Sequence, residues 1–258
     1  MHWVIENDAF ANGDILLGSL ERLQKEHVVW HDEFWITREY EAFPKNSIFH
    51  GSLGNAARLK REMDWQPGSL CDEEEFSFSS IYKKYRDFLL NRDPVFTTIS
   101  EVLGSPHIMD ALSNGAGKIF ARPNSPLKEF SGRVIGTKNL TPSHFDYGFY
   151  HSDMSLPIVL AEFKKIGKEF RFVCINDKIV TGCEYIADGR KGGVSIDTGE
   201  AWQFAQRIAD LKMEKDLAYI IDICESDKEL YLVETNPFSG SDLYACDATR
   251  IITSMEDA

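Results

Sequence analysis

Oxygen donors at strand spacing gather near the C-terminal end of the chain. Alternate side chains of an extended segment face the same way, so Glu234 and Asn236 share one face, and Asp222 and Cys224 share a face of the preceding strand. In an even-register hairpin Asp222 comes opposite Glu234 or Leu232, and two carboxylates and an amide oxygen converge. Two negative charges that close repel unless a cation lies between them. Magnesium suits such a set, because it takes hard oxygen ligands and is commonly held by one or two carboxylates plus substrate phosphates. The solvated face of an antiparallel hairpin carries the same residue types, and spacing alone does not separate the two readings.

Cations form a second pattern. Lys118 and Arg122 fall on one face of a strand-like run, and the polar loop after it adds Lys128 and, beside Gly132, Arg133. A hairpin tip bearing cations suits a polyphosphate, whose charge must be neutralised once it leaves water. Glu169 and Arg171 share a face of a later strand, and Glu162 closes an apolar run seven residues before Glu169. Basic loops and surface ion pairs use the same residues, so none of these decides singly. Weaker features are the Gly51-Ser52-Leu53-Gly54 turn, which could cradle an anion at a helix start, the stretch His144, Asp146 and Tyr147, and the basic pair Arg190 and Lys191. His27 and His31 are set aside, because a strand-like run gives them no shared helical face.

The elements that position these residues follow from periodicity. Trp3-Val4-Ile5, a stripe at Leu16, Leu20 and Leu23, and Val28-Val29-Trp30 read as β-α-β; Ile48-Phe49 and a helix over Asn55–Met63 extend this into an open α/β unit of about 75 residues. Helical spacing predicts connectors over Ser79–Leu90 and Thr97–Leu103. Lys118–Arg122 and Gly132–Gly136 read as a hairpin with a long tip. Strands follow at Glu169–Ile175 and from Lys178, joined by an Asn176-Asp177 turn. Asp197 and Glu200 have capping-box spacing ahead of a stripe at Ala201, Phe204, Ala205 and Ile208, and the last strands span Ala218–Cys224 and Leu230–Asn236.

The 258 residues are 43% hydrophobic and 27% charged, an ordinary globular composition. A formal net charge of −13 argues against nucleic acid or an anionic membrane as partner. The longest uncharged apolar stretch, Leu156–Ala161, falls far short of the roughly 20 residues of a membrane helix. Five cysteines without C-x-x-C spacing, and a start with no signal-peptide pattern, lead us to expect a reducing cytoplasm, the host's if the source is viral.

Taken in order, the basic strand with its loop, the E-x6-E-F-R-F segment, Asp222 and the closing E-x-N closely resemble the ATP-grasp superfamily from about Lys118 to Asp247. The segments K-I-F-A-R-P-N-S-P-L-K-E-F-S-G (118–132), E-F-R-F-V-C-I-N-D-K-I-V-T-G (169–182) and V-E-T-N-P-F-S-G-S-D-L-Y-A-C-D (233–247) resemble a clade of bacteriophages and bacteria marked by two arginines and one lysine. The resemblance implies an α/β (α+β) architecture: a pre-ATP-grasp unit over 1–78, connector helices and a small subdomain with a phosphate-covering loop over 79–160, and a large subdomain with the metal site over 161–258. It also implies roles. Glu162, with the backbone of Phe163 and Lys164, would read adenine, and Glu169 would hold the ribose hydroxyls. Lys118, Arg122 and Lys128 would bind phosphates. Arg122, Lys128 and Arg171 would stabilise the charge that moves. Asp222, Glu234 and Asn236 would hold one or two magnesium ions, and Gly240, Ser241 and Tyr244 would face the acceptor. In two places the chain departs from the superfamily pattern: Arg122 replaces a lysine, and the covering loop, Asn124–Ser131, is polar with Pro126 rather than glycine-rich.

The reaction implied is ATP-dependent joining of a carboxylate to an amine through an acyl phosphate, with small-molecule or peptide or protein substrates. Positioning and charge neutralisation would lower its barrier without a general base. Phosphotransfer without ligation, and a nucleotide-binding module with little catalysis, remain open beside it. No G-x-S-x-G elbow, P-loop or protein-kinase motif set occurs in the sequence.

Overall fold

The computed structural model describes residues 1–10, 14–146, 153–187 and 190–258. Alternating apolar strands and helices open the chain: β1 (His2–Ile5), α1 (Asp14–Arg22), β2 (His27–Val29), α2 (Phe34–Thr37), β3 (Ser47–His50) and α3 (Leu53–Glu62). The three strands pair in parallel in the order β2-β1-β3. Central β1 is buried on both faces, which accounts for its unbroken apolar run. Trp3 and Ile5 pack with Leu16 and Leu20 of α1, while Val4 packs with Trp30, Tyr40, Phe49 and Trp65. The Gly51–Gly54 turn does cradle an anion, but one from the chain itself: the Ser52 amide and hydroxyl each donate to Glu6 Oε2 at 2.8 Å.

Next come α4 (Phe78–Tyr85), β4 (Val95–Thr98), α5 (Ile99–Gly104), α6 (Pro106–Leu112), β5 (Lys118–Pro123), β6 (Arg133–Gly136), α7 (Ser143–Asp146) and β7 (Pro157–Glu162). The strands form an antiparallel sheet in the order β4-β7-β5-β6. Two helix boundaries differ from expectation. The connector expected over Ser79–Leu90 stops at Tyr85 and passes through a single 3-10 turn, because Leu90 N–H leaves the helical ladder to donate to Leu232 O. The one expected from Thr97 starts at Ile99. Thr97 and Thr98 instead pair with Ile158 and Pro157, and Thr98 caps α5 in a reciprocal box with Glu101.

The third sheet is antiparallel, in the order β10-β9-β8-β11-β12, from β8 (Glu169–Ile175), β9 (Lys178–Ala187), β10 (Arg190–Ile196), β11 (Ala218–Ser226) and β12 (Glu229–Pro237), with α8 (Glu200–Ala209) and α9 (Ala248–Glu256) completing the chain. The expected Asp197–Glu200 capping box does not form. Gly199, at φ +109°, is the N-cap, so Glu200 is the first helical residue rather than the third. One face of this sheet packs on α4 and α8 through Phe78, Ile81, Tyr85, Phe204 and Ile208. The other face shares a core with β1, α1 and α9, where Val173, Ile175 and Ile220 meet Trp3, Leu20 and Ile252. Among the described residues, no helix is long and apolar enough to cross a membrane.

Candidate active site

The pairing of β11 with β12 sets Asp222 opposite Glu234 and Ile220 opposite Asn236, while β8 brings Arg171 to the other side of Asp222. A bulge follows. Ile223 pairs with Leu232, leaving Val233 as the extra residue beside Glu234, and Val233 lines the cleft described below.

Two charge clusters share this surface. Arg171 grips Asp222 bidentately, Nε to Oδ1 at 2.8 Å and Nη2 to Oδ2 at 2.7 Å, and its Nη1 donates to the Asp242 carbonyl at 2.6 Å. Glu234 lies between Arg122 Nη2 at 2.5 Å and Lys128 Nζ at 3.3 Å. Asn236 Nδ2 donates to Asp222 Oδ2 at 2.9 Å. Burial would raise the Glu234 carboxyl, but the Arg122 and Lys128 charges, with a hydrogen bond from Asn236, outweigh it and hold the group well below the usual carboxylate range. Burial would likewise discharge Arg171, which the Asp222 carboxylate keeps firmly protonated. Charges this buried survive only as hydrogen-bonded pairs.

Beside Arg122 opens a cleft of about 240 Å³ with largely apolar walls, including Phe78, Leu90, Phe120, Phe163, Ile166 and Val233. Glu162 and Lys164 line it too. Glu162 Oε1 accepts from Asn114 Nδ2 at 3.2 Å, Lys164 Nζ donates to the Leu90 carbonyl, and Lys118 Nζ stands 3.8 Å over the Phe163 ring. The Arg122 guanidinium carbon lies 4.8 Å from the Phe78 centroid. Largely apolar and bordered by Arg122 and Lys164, the cleft suits an apolar ring system that carries phosphates.

Glu169 lies two residues before Arg171 on β8, with Oε2 accepting from the Tyr185 hydroxyl at 2.9 Å. Burial pushes its carboxyl up, an effect the tyrosine opposes. Tyr244 lies under Arg171, 4.8 Å from centroid to guanidinium carbon. Gly240 and Ser241 are buried further back. A Cβ on Gly240 would fall 2.3 Å from Leu53 Cδ2, and the Ser241 carbonyl accepts from His50 Nε2 at 3.1 Å. His144 Nδ1 engages Thr141 locally at 3.0–3.1 Å. Tyr147 and the side chains of Asp146, Arg190 and Lys191 lie outside the described residues.

The loop after β5 is anchored at its base, where Asn124 accepts from the Phe78 and Ser79 amides at 2.8 and 2.9 Å, and Leu127 packs against the N-terminal aromatic cluster. Phe78, Phe120, Val233 and Tyr185 join the site without having been singled out from sequence. The first two are plain apolar residues, Phe78 of α4 and Phe120 between Lys118 and Arg122 on β5, and the last two are placed by bulges, which leave no periodic trace.

In donor type the site fits magnesium, with two carboxylates and an amide oxygen on adjacent strands. Both carboxylates are engaged by the chain's own cations, and among the described residues no group of three His, Cys, Asp or Glu side chains is arranged to hold a metal.

Many solved structures share this architecture, among them the following three. The ATP-grasp ligase PsnB, complexed with a minimal precursor, gives a TM-score of 0.64 at 12% identity, covering 99% of this chain and 97% of that one. D-cycloserine synthetase DcsG gives 0.64 at 11% identity, over 99% and 98%. The D-alanine–D-alanine ligase of Bacillus anthracis, complexed with ATP, gives 0.62 at 12% identity, over 98% and 95%. The fold is therefore the ATP-grasp fold. No curated protein matches the sequence. A family model described as an ATP-grasp domain, family 2 of the R-two-K clade, matches residues 96–253, and the chain belongs to that family.

Proposed function

We propose that the protein is an ATP-dependent carboxylate–amine ligase. The observation that carries this is the junction of the apolar cleft with three cations, Arg122, Lys128 and Arg171, and two carboxylates, Asp222 and Glu234. The cleft would take adenine, with Glu162 accepting from its amino group and the backbone of Phe163 and Lys164 completing the edge. Glu169 would take the ribose. Phosphate oxygens compete with carboxylates for guanidinium groups, because both accept the same bidentate fork. A bound triphosphate would therefore draw Arg122 and Lys128 from Glu234, freeing oxygens of Glu234, with Asp222 and Asn236, to hold magnesium. The metal would neutralise charge on the bridging phosphates.

A substrate carboxylate oxygen then bonds to the γ-phosphorus as the β,γ-bridging bond breaks, giving an acyl phosphate and ADP. An amine attacks the acyl carbon, phosphate leaves, and the amine loses a proton. Arg122, Lys128 and Arg171 would hold the moving negative charge, Lys118 would stand at the cleft mouth, and Gly240, Ser241 and Tyr244 would mark the acceptor side. Within this reading residues 1–78 are the pre-ATP-grasp unit, 79–160 the connector and small subdomain, and 161–258 the large subdomain. Its cysteines, none in a disulfide and all buried, fit a cytoplasmic setting.

The test is thermal stability with ATP and magnesium. At about 100 times its dissociation constant a ligand adds roughly 2.7 kcal/mol. We expect a rise in the wild type that requires magnesium and shrinks in Glu234→Gln; no rise at millimolar ATP would sink the reading. Mass spectrometry of a cell extract incubated with protein and ATP, blanked with the same variant, then separates ligation from phosphotransfer: free phosphate with a new amide supports the first, a stable phosphorylated product the second.

A further inference from the structure

One side chain touches the acid assigned to ribose, the arginine at the phosphate end and the loop on the acceptor side. Glu169 pairs with Ile186 of β9, yet the next residue of β8, Phe170, pairs with Glu184. Tyr185 is thus the extra residue of a bulge, a device that re-aims a side chain. Its hydroxyl donates to Glu169 Oε2 at 2.9 Å. Its ring stacks on Tyr244 with centroids 4.8 Å apart and planes 5° from parallel, and the Arg171 guanidinium carbon lies 5.6 Å from its centroid. Tyr244 has φ +47°, a region that an aromatic side chain occupies only when its surroundings hold it there. They do so here: its N–H donates to Asp242 Oδ1 at 2.9 Å, and the Asp242 carbonyl accepts from Arg171.

The geometry points to Tyr185 as a positioning residue that, held by its stack on Tyr244, fixes the Glu169 carboxylate for a vicinal diol and so makes the site selective for ribonucleotides. The inference rests on the ligase reading above. A carboxylate offers about four lone-pair directions. The tyrosine takes one on Oε2, leaving Oε1 and a second direction on Oε2 for two adjacent hydroxyls. The same hydrogen bond opposes the burial that would otherwise favour the neutral acid, which accepts less well.

The experiment is calorimetric titration of the full chain, in magnesium, with ATP and with 2′,3′-dideoxy-ATP. We expect the wild type to prefer ATP at least tenfold. Tyr185→Phe removes one oxygen and keeps the stack; it should weaken ATP by about tenfold, leave the dideoxy nucleotide within about twofold, and so abolish the preference. Tyr244→Leu should reproduce part of that loss. Glu169→Gln should lose the preference by itself, and Tyr185→Phe added to it should change nothing further. A Tyr185→Phe protein that still discriminates, one that binds both nucleotides equally more weakly, or additive effects with Glu169→Gln would each overturn the proposal. A wild type that binds neither nucleotide overturns the ligase reading itself, whereas one that binds ATP while Tyr185→Phe behaves like it overturns only the role of Tyr185.

Discussion

His50 lies between the rings of Phe10 and Phe238, each centroid 5.2 Å away, and donates from Nε2 to the Ser241 carbonyl. Burial pulls its pKa from the ordinary 6.5 down to about 4. Between those values the unfolded chain binds a proton that the folded chain refuses, so stability rises with pH across this window. The contribution is complete above pH 6.5, fades as pH falls through the window, and amounts to about 3 kcal/mol. Urea denaturation from pH 7 to 4 should show the decline, and His50→Gln should flatten it; an unaltered slope in the variant would assign the decline to other groups. The residues of the candidate site were differently legible at this scale. Strand alternation was enough to bring Asp222, Glu234 and Asn236 to one face and Arg171 beside Glu169. That each carboxylate would find a cation of its own chain, Asp222 from β8 and Glu234 from β5 and the loop beyond, depends on three-dimensional pairing that spacing does not encode.

At the scale of elements, apolar periodicity located the strands and the helices with strong stripes, because burial on one face leaves a mark every second or every third and fourth position. Boundaries followed other forces. Thr97 and Thr98 carry a helical-looking sequence into a strand because β7 supplies ladder partners, and the Asp197–Glu200 spacing produced no cap because Gly199, with its positive φ, starts the helix later. The bulges at Val233 and Tyr185 were invisible for the same physical reason: an extra residue conserves the local pattern on either side while shifting the register between strands. The turn after β12 shows how closely elements approach. Gly240 sits against Leu53 at the start of α3, with that residue's Cα only 3.2 Å from where a Cβ would be. Gly240→Ala should therefore push the helix away and cost about 1–3 kcal/mol, read as a lower urea midpoint. An unchanged midpoint would mean that the contact yields freely.

For the molecule as a whole, the core does not respect the order of the chain. Trp3, Leu16 and Leu20 share one apolar cluster with Val173, Ile220, Ile251, Ile252 and Met255. Calorimetry should accordingly show one cooperative transition, and Ile252→Ala, emptying a fully buried site, should lower the stability of the entire chain by about 2–5 kcal/mol. A separate early transition, sensitive to Ile252→Ala and leaving the rest intact, would refute the shared core. The same closure is drawn tight at the surface, where Arg22 at the end of α1 donates to the Thr249 hydroxyl of α9 at 3.0 Å and Lys25 pairs with Glu256. This has a consequence for biosynthesis. A ribosome adds about 5–20 residues per second, so α1 waits roughly 10–50 s for α9 to be made. During that interval Leu16 and Leu20 are open apolar surface, available to a chaperone or to a neighbouring nascent chain. The face of the three-stranded sheet that carries Trp3 and Ile5 is completed only when α9 joins it.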